Sequence, residues 1–438
     1  MVTGIGFGPA NLALTIAMEE SGFSGDSLFL ERKSGSSWQP EMLLRGSDIQ
    51  NNPLRDLVTP RNPRSRYSFT NFLFENDRLF EHLNLGLEFP LRAEFAQYIQ
   101  WVSGFFESNV KYNCEVVSVE ISKQDNSLYC IKTQNSGTYY ARSLVVAPGR
   151  TPNVPTQFIG MPRHQVFHLT EFKKNISFIS KTQKLSKVVV FGGSQSAVEI
   201  ILYLHSKYSD LEILNVQRGY NFRLKDTSQF SEHVYFPSFV DYYFNCSEEA
   251  KANINKHLHY TNYSAADGDV ISELYKVIYE DRLNNEERIK ILGSTKVVEP
   301  SSTSDSTVEL LLEEINTGEF TTVTDIDAVV LATGFKNLGG GENGEKCPKL
   351  LNNIYPYLET EEDGAIKLAR DYRLTAKAGI DVPPIYLNGL CEASHGYGDA
   401  GSLSLIALRS QEIYNSLEAA FVTIATNNSK LKESLGDL

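Results

Sequence analysis

Two glycine-dense turns, each set between a short apolar run and a helical pattern, constrain this chain more than any other feature. The first is Gly4-Ile5-Gly6-Phe7-Gly8-Pro9-Ala10-Asn11; the second, Gly192-Gly193-Ser194-Gln195-Ser196-Ala197, follows the apolar run KVVVF at 187–191. A strand that turns sharply into a helix needs glycine there, because only glycine accepts positive φ freely and lets another backbone or a ligand come close. The first turn departs from a strict GxGxxG, since Pro9 stands three positions after Gly6. In the first unit a helix is expected from about Ala10 to Glu20, then a strand from Ser27 to Leu30 ending in Glu31; in the second, a helix leads to LEILNVQ and Arg218. Two such βαβ units predict an α/β chain with two Rossmann-like dinucleotide-binding domains.

The strand ends separate the two sites. A carboxylate in the position of Glu31 accepts hydrogen bonds from ribose hydroxyls, whereas a guanidinium in the position of Arg218 welcomes a 2′-phosphate that a carboxylate would repel. FAD is therefore expected on the turn formed by Gly4, Gly6, Gly8, Pro9 and Asn11 with Glu31, and NADPH on the unit that ends in Arg218. Segments Tyr112 to Lys132 and Thr138 to Ala147 read as β-rich, and VVAPG at the end of the latter has the same form as DAVVLATG, Asp327 to Gly334. In two-dinucleotide flavoproteins such strands carry the chain between domains. The expected division is 1–165 with 335–438 as the FAD-binding domain and 166–334 as the NADPH-binding domain. Within the latter, 220–300 is an aromatic, polar, mainly helical substrate-binding insertion, with helices around Glu248 to His259 and Asp269 to Glu286. A loop is expected at Asn337 to Glu345, and a helix on the first domain at Leu403 to Ala425.

Composition narrows the partners. With 438 residues and a formal net charge of −13, the chain is long enough for two or three domains and lacks the basic character that nucleic acid or an anionic membrane would need. Five scattered cysteines (Cys114, Cys130, Cys246, Cys347, Cys391), without CxxC or a Cys/His cluster, indicate a reducing, cytoplasmic setting and no metal site. No stretch reaches the roughly 18 apolar residues of a membrane span.

These motifs lie in a series that resembles the flavin-dependent N-hydroxylating monooxygenases of siderophore biosynthesis, which act on ornithine or lysine. The series comprises GIGFGPANLAL, Trp38-Gln39-Pro40-Glu41-Met42, LRDLVTPRNPRSRYSFTNFL from Leu54 to Leu73, and Arg92-Ala93-Glu94-Phe95 with Tyr98 and Trp101. It continues through GGSQSAVE, Thr261-Asn262-Tyr263-Ser264, LATGF at 331–335, and His395-Gly396 before Leu403-Ser404. The resemblance implies the class B flavin monooxygenase architecture and a cycle in which NADPH reduces FAD, O₂ adds to the flavin as a C4a-hydroperoxide, and a neutral amine attacks the distal oxygen. It places Gln50 beside the flavin ring as the catalytic-site residue, Trp38 in the flavin pocket, and Gly193, Gln195, Ser196, Arg218 and Gly334 with the nucleotides. It places Asn245, Asn262 and Ser404 on the amino-acid substrate, and it implies a homo-oligomer, dimer or tetramer.

Two positions depart from the family. Arg55 stands where those enzymes usually have a lysine for the substrate carboxylate, and Gln39 where they usually have histidine. Arg55 can bind a carboxylate bidentately, but its length and planarity leave open a shorter substrate or one without a carboxylate, such as putrescine or histamine. Phe158, Gly160 and His164 precede His168, read as a linker histidine that couples the two nucleotide domains. A Baeyer–Villiger or S-oxygenating relative and a nucleotide-binding protein without turnover remain alternatives; the polar TNYS segment and Asn245 favour an amine.

Overall fold

The run VTGI becomes the strand Val2–Ile5, with all four residues buried, as a central strand of a parallel sheet covered on both faces must be. In the computed structural model, which describes residues 2–302, 307–341, 344–399 and 401–436 and side chains only to 422, this strand sits third in a five-stranded sheet. The order is Ile385–Leu387, Ser143–Val146, Val2–Ile5, Ser27–Leu30, Val110–Lys111, parallel throughout. Helix Pro9–Glu20 buries eight residues between this sheet and the C-terminal helix Ile406–Gly436. Residues 342–343 of the expected loop and the side chains of 423–425 lie outside the described residues.

A second parallel sheet repeats the plan in the order Ile289–Leu292, Glu212–Val216, Lys187–Phe191, Ala328–Leu331, Val166–His168. In each unit a three-stranded antiparallel meander comes just before the returning strand, Ser143–Val146 in the first sheet and Ala328–Leu331 in the second. One comprises Val116–Ile121, Tyr129–Thr133 and Thr138–Ala141; the other comprises Thr295–Ser302, Val308–Glu314 and Phe320–Ile326. The returning strands also explain the turn glycines. A Cβ on Gly6 (φ +82°) would lie 2.3 Å from the Ala147 carbonyl oxygen, and one on Gly192 (φ +140°) 2.4 Å from that of Ala332. The alanines of VVAPG and VLATG thus press on the two turns in the same way.

The expected insertion is shorter than 220–300. Ile289–Leu292, whose isoleucines alternate with Lys290, forms the edge strand of the second sheet, and Thr295–Ser302 opens its meander by pairing with Val308–Glu314. What remains holds helices Pro237–Phe244, Glu248–His257 and Gly268–Leu283, the last packed on helix Gln195–Lys207.

His168 ends its strand with Nε2 2.8 Å from the Gly334 carbonyl and Nδ1 accepting the Thr170 N–H at 3.3 Å. A carbonyl can only accept, so the ring is neutral with its proton on Nε2. Burial pushes it down to about 4, and burial does the same to His395, which stacks on Tyr372. Unfolded histidines take a proton near 6.5, so between those pH values the unfolded chain binds more protons and stability is lost as pH falls. Thermal midpoints should therefore drop between about pH 6.5 and 4, with each ring contributing up to about 3 kcal/mol. His168→Gln, which keeps a donor for Gly334, should give a shallower decline. Parallel curves for the two proteins would remove His168 from this account.

Candidate active site

A cleft of about 1160 Å³ lies between the two nucleotide units, lined by side chains from both. Eight of the sequence-predicted residues meet there: Trp38, Gln50, Arg55, Gln195, Ser196, Asn262, Gly334 and Ser404. Trp38 is fixed edge-on against Phe95, 5.6 Å between ring centroids. Gln50 holds a left-handed φ of +51°, unusual for a residue with a side chain. Its N–H donates to Asp48 Oδ1 at 2.8 Å and its Nε2 to Asp267 Oδ2 at 2.6 Å. Burial first, and then the charges of Asp267 and Glu199, push Asp48 up to about 6.

Asp267 joins the two halves of the cleft. Its N–H donates to Gln195 Oε1 at 2.9 Å, and Gln195 Nε2 donates to Glu199 Oε1 at 3.1 Å. Glu199 in turn takes both arms of Arg92, at 2.7 and 2.9 Å, and Arg92 Nη1 also reaches the Met42 carbonyl. A continuous chain of hydrogen bonds, buried beyond its first link, therefore runs from Gln50 to the helix that follows the second turn. On the opposite wall, Ser404 Oγ donates to Asn51 Oδ1 at 3.2 Å, and Asn51 Nδ2 donates to the Arg55 carbonyl at 3.1 Å. Tyr235 OH donates to the Thr261 carbonyl beside Asn262 at 3.4 Å. Tyr263 and Asn337 hydrogen-bond Glu392, whose carboxyl burial pushes up, and Arg150 donates to Asn337 at 2.9 Å.

Other expected residues sit apart from the cleft. Asn11 is fully buried, with Nδ2 on the Gly6 carbonyl at 2.8 Å and Oδ1 accepting from Asn388, so it builds the turn and has no amide group left for a cofactor. Gly4 is likewise occupied, because a Cβ there would meet the Phe29 ring at 2.1 Å. Pro9 takes the first helical position, where its missing N–H costs nothing. Gly193 lies against Gln217, and Arg218 is exposed at the end of its strand, with no acidic partner within ion-pair distance among the described residues. Asn245 does not join the site. It is exposed and its amide donates to Asp241 O one helical turn back, at 2.8 Å, which is the local bonding asparagine favours at a helix end.

The turns themselves suit dinucleotides. Helices Pro9–Glu20 and Gln195–Lys207 start without a side-chain cap, which leaves N–H donors for phosphate oxygens. A Cβ on Gly8 would meet nothing within 4 Å, so space is open above the first helix. Glu31 stands over that turn with its oxygens on the N–H groups of Phe7 (2.7 Å) and Lys33 (2.9 Å). Among the described residues no cluster of His, Cys, Asp or Glu is placed to hold a metal, and no helix is long and apolar enough to cross a membrane. Sequence reasoning missed Asp267, Glu232 and Tyr235, and Glu199 was visible only as the end of GGSQSAVE, without a role. Arg92 was visible only as part of a motif, without a role.

Two dinucleotide units closing on one polar cleft define a flavoprotein oxidoreductase that uses a nicotinamide cofactor. The family model described as L-lysine 6-monooxygenase/L-ornithine 5-monooxygenase matches residues 1–337, and the chain belongs to that family. The L-ornithine N(5)-monooxygenase of Pseudomonas aeruginosa is 33% identical over 425 residues, covering 94% of this chain and 92% of the relative. The solved ornithine hydroxylase of that organism has a TM-score of 0.87 at 32% identity, covering 96% of this chain and 99% of its own. The ornithine N-hydroxylase of Kutzneria sp. 744, solved with reduced FAD, NADP⁺ and L-ornithine, has a TM-score of 0.87 at 31% identity, covering 95% and 98%. The chain is accordingly an FAD- and NADPH-dependent flavin N-monooxygenase that hydroxylates an amine.

Proposed function

We propose that this enzyme hydroxylates the terminal amine of a small ornithine- or lysine-like amino acid or of a diamine, using O₂, in a siderophore or related pathway. Support comes chiefly from one observation: Arg55, Asn262 and Ser404 face the same cleft as Trp38 and Gln50 on one side and Gln195 and Ser196 on the other. In this reading FAD occupies the lobe formed by 1–165 and 335–438, with Glu31 on its ribose, and NADPH occupies 166–334, with Arg218 on its 2′-phosphate. Bound FAD, once reduced by NADPH, supplies the activated oxygen. Gln50, tethered by Asp267, fixes the flavin edge of the cleft. Asn262 holds the reacting nitrogen through a neutral amide, which does not favour the ammonium form as a carboxylate would, so the lone pair stays available.

The five cysteines are unpaired, which supports a cytoplasmic location. Helix Leu79–Leu85 buries no residue and exposes Phe80 and Leu83, which supports a homo-oligomer such as a dimer or tetramer. The test is NADPH-dependent hydroxylamine formation across ornithine, lysine, diaminobutyrate, putrescine, cadaverine and histamine. Product from at least one of these amines is expected; ester from a ketone with no hydroxylamine from any amine would overturn the reading.

A further inference from the structure

Two half-buried charged side chains of the cleft, Arg55 and Glu232, have no oppositely charged partner within ion-pair distance among the described residues. Arg55 is half-buried with its guanidinium 6.0 Å from the Tyr235 ring centroid, and no carboxylate among the described residues lies within ion-pair distance of it. Glu232, half-buried on the turn Ser231–Tyr235, likewise has no cation within that distance, Arg55 included. Both act on the same phenol: Tyr235 is pushed up chiefly by burial, further by Glu232, and is drawn back by Arg55. Arg32 and Glu88 also reach the lining but are exposed, where water answers their charge, and Lys33 donates to the Ser37 carbonyl. Arg92 pairs with Glu199, Lys225 lies 3.9 Å from Asp267, Glu41 accepts the Lys174 N–H, and Arg150 donates to Asn337.

A partly buried charge without a partner is a cost to the folded protein, and it is relieved when a ligand brings the opposite charge. We propose that Glu232 is a specificity-determining residue that receives a second primary ammonium of the substrate, at the end remote from the nitrogen that is oxidised. Arg55 beside it takes a carboxylate when the substrate has one. This rests on the reading given above as the proposed function, and it deepens that reading by naming the ligand chemistry: a small amine with a second, protonated nitrogen. That nitrogen is either the α-ammonium of a diamino acid or the far ammonium of a diamine. The pairing also selects which nitrogen reacts. A carboxylate keeps the remote nitrogen protonated and unreactive, while the amide of Asn262 leaves the other free to be neutral.

Ornithine and putrescine differ by the carboxylate alone, so they separate the two sources. Hydroxylamine formation by the wild-type enzyme with either one establishes the underlying reading, and its absence with every amine defeats that reading rather than this one. Given turnover, Glu232→Gln should raise KM by roughly 10- to 100-fold, the effect of one charge-assisted hydrogen bond, with kcat at saturation changed much less. Glu232→Asp should recover part of the loss, flavin content should stay at the wild-type value, and the thermal midpoint of Glu232→Gln should be no lower than that of the wild type. A rise for both substrates, with Arg55→Gln affecting ornithine alone, supports a shared ammonium site; a rise for ornithine only assigns the site to the α-ammonium. An unchanged KM for both substrates in Glu232→Gln overturns the proposal.

Discussion

Replacing Gly6 by valine is expected to yield a protein that loses most of its flavin and melts well below the wild type. Gly6 sits at φ +82°, where a residue with a side chain loses about 1–2 kcal/mol and a β-branched one more. Its Cβ would also lie 2.3 Å from the Ala147 carbonyl oxygen, closer than real atoms come, so the returning strand Ser143–Val146 must shift. A combined cost of roughly 3 kcal/mol at the turn corresponds to about a 100-fold loss of flavin affinity. Gly8→Ala is the informative contrast. Gly8 has an ordinary φ of −80° and open space at its Cβ, so the apoprotein should keep its stability within about 0.5 kcal/mol. The added methyl should nevertheless weaken flavin binding, because it enters the space that suits the pyrophosphate. Flavin absorbance per protein after gel filtration, together with apoprotein melting, separates the two. Equal melting of both variants would show that the turn glycines do not divide between fold and ligand in this way.

Arg92→Met should be the most damaging change outside the glycine turns. Arg92 is 7% exposed and its partner Glu199 5%. The pair spans helices Arg92–Gly104 and Gln195–Lys207, which belong to different sheets. Removing the cation leaves a buried carboxylate unanswered and the Met42 carbonyl without its donor, at a cost of about 3–5 kcal/mol. Replacing both partners, as Arg92→Met with Glu199→Gln, should restore much of that loss, since the stranded charge disappears. Denaturant unfolding of the single and double variants measures the coupling. If the double variant is as unstable as the sum of the two singles, the pair is not the link described.

What could be read in the sequence was what the backbone demands locally. The two turns announced themselves because strand-to-helix geometry needs glycine, and Glu31 and Arg218 because a strand end is a fixed place. Trp38, Gln50, Asn262 and Ser404 came from the family resemblance and do meet in the cleft. Asn245 failed for a physical reason: in an aromatic, polar stretch an asparagine reads the same whether it faces a substrate or caps its own helix, and here it does the second. Asn11 was legible as part of the turn but not as its internal brace. The contacts that assemble the site join residues far apart in sequence. Gln50 and Asp267 are separated by 217 positions and Arg92 and Glu199 by 107, so no local pattern could pair them. Glu232 lies in a segment expected to shape the pocket, but only the fold shows it lining the cleft with Arg55 and Tyr235, without an ion-pair partner among the described residues.

Placement of oxygen from O₂ on a substrate nitrogen can be followed by turning over the enzyme with FAD, NADPH and ornithine or putrescine under ¹⁸O₂ and locating the label by mass spectrometry. One ¹⁸O atom is expected on the terminal nitrogen of the product, with hydroxylamine accounting for most of the NADPH consumed. NADPH oxidation that leaves the amine unlabelled, with all oxygen recovered as hydrogen peroxide or carried into a ketone or thioether instead, would contradict it.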